Sequence, residues 1–152
     1  MKARHYYIVG CKKMTDFYTD KVTIYNDITS AGETERRFDK FILDRCSVQG
    51  GYISKADGTI QNIVNAVNVL TKRTDNYKSP SEYYKLPPEE HNKYYTVQVG
   101  DFVVFGVVDD VVTSSKEFEA LQKKYVNNSM IITSVSVNIH NTDVDHIAMT
   151  NI

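Results

Sequence analysis

The stretch from Val99 to Val112, VGDFVVFGVVDDVV, limits what this chain can fold into more than any other part of it. Successive side chains of an extended strand point to opposite faces, and both sets are apolar here. One face would carry Phe102, Val104, Gly106 and Val108, and the other Val103, Phe105 and Val107. A strand of this kind needs protein on both sides. The stretch therefore predicts a strand deep in a small barrel or sandwich, or one between subunits.

The composition is that of one globular domain: 152 residues, of which 41% are hydrophobic and 24% are charged. With 18 basic and 19 acidic residues, no overall field attracts the chain to nucleic acid or to an anionic membrane. The longest apolar stretches are strand-length, so no membrane-spanning segment is expected. Residues 1–13 are basic and have too short an apolar part for a signal peptide. They are expected to form an N-terminal arm or extension beside one β-barrel domain at residues 14–152.

Most of the remaining chain alternates like β-strand and is punctuated by turn residues. The predicted strands are Val22–Tyr25, Phe38–Val48, Ile60–Thr71, Phe102–Val108, Met130–Asn138 and Val144–Met149, the last two forming a hairpin across Asn141–Asp143. A bulge near Phe41 and Ile42 would reconcile the second strand with strict alternation. The glycine-punctuated segment Gly50–Thr59 is predicted to be an exposed loop or the tip of a long hairpin.

Two segments are predicted to contain helix. In Ser79–Tyr95, a short helical turn starts at Pro80, stops at Pro87 and Pro88, and is followed by a second turn. Further on, Ser114 or Ser115 is expected to cap a helix, and Ser114 and Glu117 have the spacing of a capping box. The helix after them would bury Phe118, Leu121, Gln122 and Tyr125 on one face. The predicted fold is mainly β with one or two short helices: a small antiparallel β-barrel with a capping helix.

The residues that usually carry chemistry are sparse. Cys11 and Cys46 have no CxxC spacing and no histidine cluster around them, which favours reduced thiols in a cytosolic protein. His146, near Asp143 and Asp145, is the best candidate for a metal ligand or general base, but no nucleophile accompanies it. No glycine-rich phosphate loop is present. We therefore expect no cofactor, no metal site and no enzymatic activity.

Tyrosines and lysines leave two surface hypotheses open. The concentration of tyrosines in and near Ser79–Tyr95 is explained either by core packing or by a partner-binding patch. Basic residues with a stacking tyrosine would suit single-stranded nucleic acid. That set comprises Tyr52, Lys55, Lys72, Arg73, Lys78 and Lys85. Acidic residues are interspersed among them, so a solvated surface of mixed charge is the simpler interpretation.

The order of these pieces resembles a known family. DKVTIYN (Asp20–Asn26) is followed by a strand ending in VQGG, then by ISKADGTI, NAVNVLTK, YKSPSEYYKLP and the VGDFVVFGVVDDV strand. A short helix and ITSVSVNIHN followed by VDHIAMTN complete the order. Over roughly Thr15–Ile152 the chain is similar to the small neck proteins of long-tailed phages and prophages of Gram-positive bacteria, the head-closure or head–tail connector proteins.

The resemblance implies a non-enzymatic virion protein, assembled in the host cytoplasm. It implies a homo-oligomeric ring that extends the portal channel, docked on the portal or its adaptor and on tail-completion or tail-tube proteins. A loop retains packaged double-stranded DNA. The channel-facing candidates are Gly50, Gly51, Tyr52, Ser54, Lys55, Asp57 and Gly58, with Ser79–Tyr95 as the second choice. The candidates for subunit or partner contacts are Tyr77, Tyr83, Tyr84, Tyr94, Tyr95, Phe102, Phe105, Asp109 and Asp110.

Other functions remain compatible with the residues. A tail-completion or tail-terminator subunit would share the layout of strands and helix. A barrel that binds single-stranded nucleic acid would bind oligonucleotides as a monomer, with strong salt dependence. A small inhibitor of a host enzyme would form a tight one-to-one complex with that enzyme.

Overall fold

The computed structural model describes residues 18–57, 60–141 and 145–152, with the backbone alone from 51 to 65. Its described strands form one antiparallel sheet in the order β5-β4-β1-β2-β3-β7-β6. The strands are β1 Asp20–Asp27, β2 Phe38–Asp57, β3 Ile60–Lys72, β4 Phe102–Phe105, β5 Ser129–Ile131, β6 Ser134–Asn138 and β7 His146–Thr150. The helices are α1 Pro80–Tyr83, a 3-10 helix at Pro88–Lys93 and α2 Ser115–Lys124. The predicted mainly β fold is confirmed.

The two outermost strands of the sheet, β5 and β6, are consecutive in the chain, so the two edges of the sheet must lie close together at the link between them. The Ile132 N–H donates to the Asp101 carbonyl at 2.9 Å, next to the pairing of β5 with β4. The N–H of the next residue, Thr133, donates to the Thr150 carbonyl of β7 at 2.8 Å. Three Cα–Cα steps separate β5 from β6, a reach of at most about 11 Å. The sheet can satisfy this only by curling, and it forms a half-barrel.

Strand β4 is covered on both faces, as its sequence predicts. Val103 packs inside the curl with Ile24 and the rest of the larger apolar cluster. On the opposite face, Phe102 packs at 5.4 Å between ring centroids against Phe118 of α2. The strand is shorter than predicted, ending at Phe105 instead of Val108, because the chain turns at Gly106 with φ +114°.

A side chain replaces the backbone pairing that the predicted strand would have continued. Thr23 Oγ1 donates to the Gly106 carbonyl at 2.9 Å and accepts from the Val108 N–H at 3.2 Å. The chain therefore leaves the sheet here but stays attached to β1.

The capping signals around α2 are confirmed in part. Ser114 Oγ accepts from the Glu117 N–H at 3.3 Å, the expected N-cap. The Glu117 carboxylate, however, accepts from the Thr113 N–H at 2.7 Å, one residue before the position that a capping box predicts. Phe118 and Leu121 are buried against the sheet, and Gln122 and Tyr125 are half-buried on the same side.

Strands β2 and β3 are longer than predicted. The register passes from Asp20↔Cys46 to Val22↔Leu43, so the bulge lies at residues 44–45 and not near Phe41 and Ile42. Gly50–Thr59 was expected to be an exposed loop or the tip of a hairpin, but residues 50–57 are strand and continue β2, because they pair with β3; positions 58–59 lie outside the described residues.

The far end of this hairpin extends beyond the rest of the sheet. Its pairing runs from Gly50↔Val67 to Asp57↔Ile60. β1 pairs with β2 only as far as Cys46, and β7 pairs with β3 only as far as Asn68. We call residues 50–57 and 60–67 the arm. The predicted extension at residues 1–13 lies outside the described residues.

The predicted final hairpin is also divided differently. Met130–Asn138 was expected to be one strand, but Ile132 and Thr133 separate it into β5, which pairs with β4, and β6, which pairs with β7. The alternating pattern continues across the break, since the chain stays extended while it changes partner. Periodicity therefore cannot reveal the division.

A buried polar cluster joins β1 to the turn before β4. The Asp101 carboxylate, fully buried, accepts from Asn26 Nδ2 at 2.8 Å, from the Gln98 N–H at 3.0 Å and from the Asp27 N–H at 3.0 Å. Asn26 Nδ2 also donates to the Thr96 carbonyl at 2.8 Å. Burial raises the pKa of Asp101 to about 6, although these hydrogen bonds oppose the shift. The cluster fixes the entry into β4.

We predict that Asp101→Asn is strongly destabilising. The amide keeps one acceptor oxygen, so at least one of the three donors to this buried group loses its partner, at a cost of about 1–3 kcal/mol. Urea denaturation at pH 7 measures the loss. The matched control is Asp109→Asn, at an exposed aspartate, and it should leave the urea midpoint unchanged. Equal midpoints for the two variants would contradict the assigned role of Asp101.

The raised pKa of Asp101 also predicts that the stability difference between wild type and Asp101→Asn depends on pH. The folded carboxyl, with pKa about 6, holds a proton between about pH 4 and 6, where the unfolded one, with its usual value of 3.8, does not. The stabilisation from this group is therefore largest at low pH and falls as the pH rises to 6. The stability difference between wild type and Asp101→Asn should be about 1 kcal/mol larger at pH 5 than at pH 7. A smaller difference at pH 5 would show that the folded carboxyl stays ionised there.

Candidate partner-binding surfaces

The tyrosines predicted as partner contacts divide between core and surface. Tyr83 and Tyr95 are fully buried within the subunit, which corrects their assignment as contacts: the core-packing alternative holds for both. Tyr77 and Tyr94 are half-buried, and Tyr84 is 47% exposed. Neighbouring tyrosines differ in burial here because the short helix α1 directs Tyr83 into the core and leaves Tyr84 at the surface.

Polar contacts between Asp39 of β2 and two residues of the Ser79–Tyr95 segment hold that segment against the sheet. Asp39 Oδ2 accepts from the Tyr83 hydroxyl at 3.0 Å and lies 2.7 Å from His91 Nδ1. His91 Nε2 lies 3.1 Å from the Leu86 carbonyl oxygen, so both ring nitrogens have a polar neighbour. The ring centroids of His91 and Tyr83 lie 4.7 Å apart, with the ring planes tilted by 32°. No spacing in the sequence links Asp39 to His91, so sequence reasoning missed this contact.

Tyr84 lies on the outer side of the same segment and is held in place. Its hydroxyl donates to the Asp27 carbonyl at 2.7 Å, and Gln98 Nε2 donates to it in turn. Its ring also meets that of Tyr83 edge to face at 5.9 Å. The ring of Tyr84 is therefore an exposed aromatic surface with little freedom left to lose on binding.

A second surface is the loop from Gly106 to Thr113. Asp110, predicted to serve a turn or an interface, accepts from Lys124 Nζ at 2.8 Å and from the Tyr125 hydroxyl at 2.8 Å. These hydrogen bonds, that of Lys124 first, hold the pKa of Asp110 below its usual range. The Tyr25 hydroxyl donates to the Asp110 carbonyl at 2.8 Å. The loop is thus fastened to both β1 and α2.

The outer side of this loop is apolar. Val107 is 53% exposed and Val111 is 66% exposed, on either side of Asp109. Lys40 Nζ donates to the Asp109 carbonyl at 3.1 Å, which further restricts the loop. A restrained loop that presents bare valines is suited to docking, since little conformational entropy is lost on contact.

The remaining predicted residues differ in their exposure. Phe102 is 2% exposed between β1 and α2 and cannot contact a partner, because its position in β4 places it in the core. Phe105 is half-buried at the strand end. Within the arm, the backbone of Gly50–Asp57 is strand, and Gly50 is exposed. Gly58 lies outside the described residues.

The predicted basic patch carries both signs of charge. Lys72, Arg73 and Lys78 line an open cavity of about 390 Å³ together with Asp75, Glu82 and Asp145. Lys78 Nζ lies 4.9 Å from the ring centroid of Tyr94. Phosphate groups would meet carboxylates in this cavity as well as cations, which weakens nucleic-acid binding there.

Of the other chemical candidates, Cys46, Asp145 and His146 are among the described residues; Cys11 and Asp143 lie outside them. Cys46 is buried beside β1, and burial raises the pKa of its thiol to about 11, so the thiolate is disfavoured. Asp145 accepts from the His140 N–H at 2.9 Å and from the Asn141 N–H at 3.1 Å, which closes the turn before β7. His146 Nε2 lies 3.1 Å from Asn138 Nδ2.

Within residues 18–57, 60–141 and 145–152, no three histidine, cysteine or acidic side chains are grouped to hold a metal ion. In the same ranges, no helix has both the length and the apolar content needed to cross a membrane.

We predict that Asp110→Asn loosens the Gly106–Thr113 loop without unfolding the protein. Losing the charge weakens the contact with Lys124, so the Val108 amide should exchange with solvent roughly three-fold faster. Hydrogen exchange followed by mass spectrometry measures this rate. Asp109→Asn, which alters the neighbouring exposed side chain, is the matched control. If both variants change the exchange equally, the Asp110 contacts do not restrain the loop.

The sequence profile of a family of unknown function (DUF6751) matches residues 17–150. No curated protein and no solved structure matches the chain.

Proposed function

We propose that the chain, which belongs to this family of unknown function (DUF6751), is a structural virion protein of the head–tail interface of a tailed phage. In this proposal, copies form a ring that extends the portal channel and helps to retain packaged DNA. The ring docks on the portal or its adaptor on the head side, and offers a surface to tail-completion or tail-tube proteins on the other side. The role is non-catalytic and takes place in the neck of the virion.

The observation that carries the proposal is the arm. Among the residues that the structure describes, its two strands pair only with each other from Gly50↔Val67 to Asp57↔Ile60, a projection of about 26 Å at about 3.3 Å per residue. An isolated two-stranded ribbon is marginally stable in water. Such an element suits a position where other macromolecules surround it, as they do around a ring's channel. Its β2 half also lies in Gly50–Thr59, the segment whose position suggests the closure loop in the resemblance to phage neck proteins.

The charge of the arm is compatible with DNA that must later move. Lys55 and Asp57 are the charged residues between Gly50 and Val67, and they cancel. Neutralising many phosphates binds DNA strongly through counterion release. A surface without net charge can instead obstruct the channel without holding the DNA during ejection.

Two restrained surfaces supply candidate docking contacts. The Gly106–Thr113 loop presents Val107 and Val111, and Tyr84 presents its ring from the other surface. Each contact is small, but cyclic symmetry repeats it in every subunit of a ring. Modest interfaces are therefore sufficient for stable docking.

The decisive experiment shortens the arm in the phage genome. Replacing Ser54–Ile63 by Asn-Gly keeps the pair Ile53↔Val64 and closes the hairpin with a favourable two-residue turn. The subunit should fold and join the neck, while filled heads lose their DNA before tails attach. Full-length Lys55→Ser, which changes charge but not reach, is the matched control and should retain DNA.

Other outcomes lead to different conclusions. Stable DNA-filled heads carrying the shortened subunit would remove the closure role from the arm and make Ser79–Tyr95 the next candidate. Stable filled heads without the protein, together with tails of aberrant length, would instead indicate a tail-completion or tail-terminator subunit. Absence of the protein from purified virions, with capsid and tail proteins detected by mass spectrometry, would refute the neck assignment altogether.

A further inference from the structure

On the side of β7 and β6 the edge of the sheet is staggered, because these two strands lie beside residues 68–72 of β3 and not beside residues 60–67; we call this stagger the step. β3 extends past β7 along residues 60–67, and β6 lies two strands further out beside β7. Asn151 marks the inner corner, since Val67 N–H donates to its Oδ1 at 2.8 Å. With respect to the described strands, the free edge on this side therefore has two levels, the arm edge of β3 and the outer edge of β6.

Neither level has the features that normally protect a strand edge. Proteins prevent edge-to-edge association with very short edge strands, charged residues or proline. Ile60–Leu70 contains no charged residue and no proline, and neither does Ser134–Asn138. By contrast, β5 at the other end of the sheet has three residues, and the β2 half of the arm carries Lys55 and Asp57. The unprotected edges are thus the two levels of the step.

A step of this shape fits a second copy of itself. Rotation by 180° about an axis perpendicular to the local plane of the sheet beside Asn151 would place the arm of each copy along β6 of the other. β6 is antiparallel to β7, which is antiparallel to β3, so β6 runs in the same direction as its own β3. After the rotation it is antiparallel to β3 of the second copy. The length of β6, about 17 Å, fits within the arm.

We propose that the free protein forms a two-fold dimer in which β6 of each copy pairs antiparallel with residues 60–66 of the other. The partner is a second copy because one chain supplies both edges, with matching polarity and a complementary offset. The pairing covers both unprotected edges at once and gives each arm a third strand. It concerns the protein before it joins any ring, so it does not depend on the proposed function.

Hydrogen exchange on the unmodified full chain tests the pairing. The amides of residues 60–66 that are not bonded to β2, and those of residues 134–138 that are not bonded to β7, should both be protected at high protein concentration. They should lose that protection on dilution below the dimer dissociation constant. Concentration-independent protection of these outward amides of the arm would show that this edge is covered within one chain and would overturn the proposal. Protection of only one segment, or of neither, would also overturn it.

An edge variant tests the same contact by sedimentation equilibrium. Val137, 44% exposed on β6, is replaced by Lys, which should weaken dimerisation at least about ten-fold through an unpaired charge at the edge. Val126→Lys, at a position 70% exposed after α2, is the matched control and should dimerise like wild type. A monomeric wild type, or equal weakening by both substitutions, would refute the two-fold pairing. Circular dichroism checks folding, and if Val137→Lys fails to fold, the exchange data on the wild type decide.

Discussion

The fully buried Asp101 carboxylate is the constraint on which the rest of the architecture depends. It accepts three hydrogen bonds, from Asn26, from the Gln98 amide and from the Asp27 amide. These tie the end of β1 to the turn that starts β4, and the pair β1–β4 forms the middle of one half of the sheet. A buried carboxylate is costly without full hydrogen bonding, so the turn at Gly100 and the end of β1 are specified together.

The curl of the sheet follows from this arrangement and from the short link at Ile132 and Thr133. With β4 fixed beside β1, the chain after β5 reaches β7 at once only if the sheet bends. The bend encloses the larger apolar cluster, and α2 covers the opposite face. What remains outside is the arm, the step edge and two restrained surfaces around Tyr84 and Val111. Every candidate interaction surface is thus a part that the curl leaves uncovered.

Local patterns predicted the elements of the fold better than their ends. The two-sided apolar pattern of β4 and the helical face of α2 are expressed in side chains a few residues apart, and both were confirmed. The true end of β4 at Gly106 depends on Thr23, distant in sequence. Local patterns were equally limited in predicting which residues are exposed for partner contacts. The candidate list included Tyr84 and Asp110, which lie at the surface. It also included Tyr83, Tyr95 and Phe102, which are buried, because tyrosine and phenylalanine suit a core and an interface equally well.

By itself, the sequence determined that the chain is mainly β, that one strand is covered on both sides and that a capped helix packs beside it. Those properties depend on alternation and on capping, which act over a few residues. Only the tertiary structure decided that Met130–Asn138 divides between two edges, that Gly50–Asp57 is strand and that Asp39 holds His91. Each of these depends on which distant segment supplies the hydrogen-bond partner, and the spacing of residues along the chain carries no record of that choice.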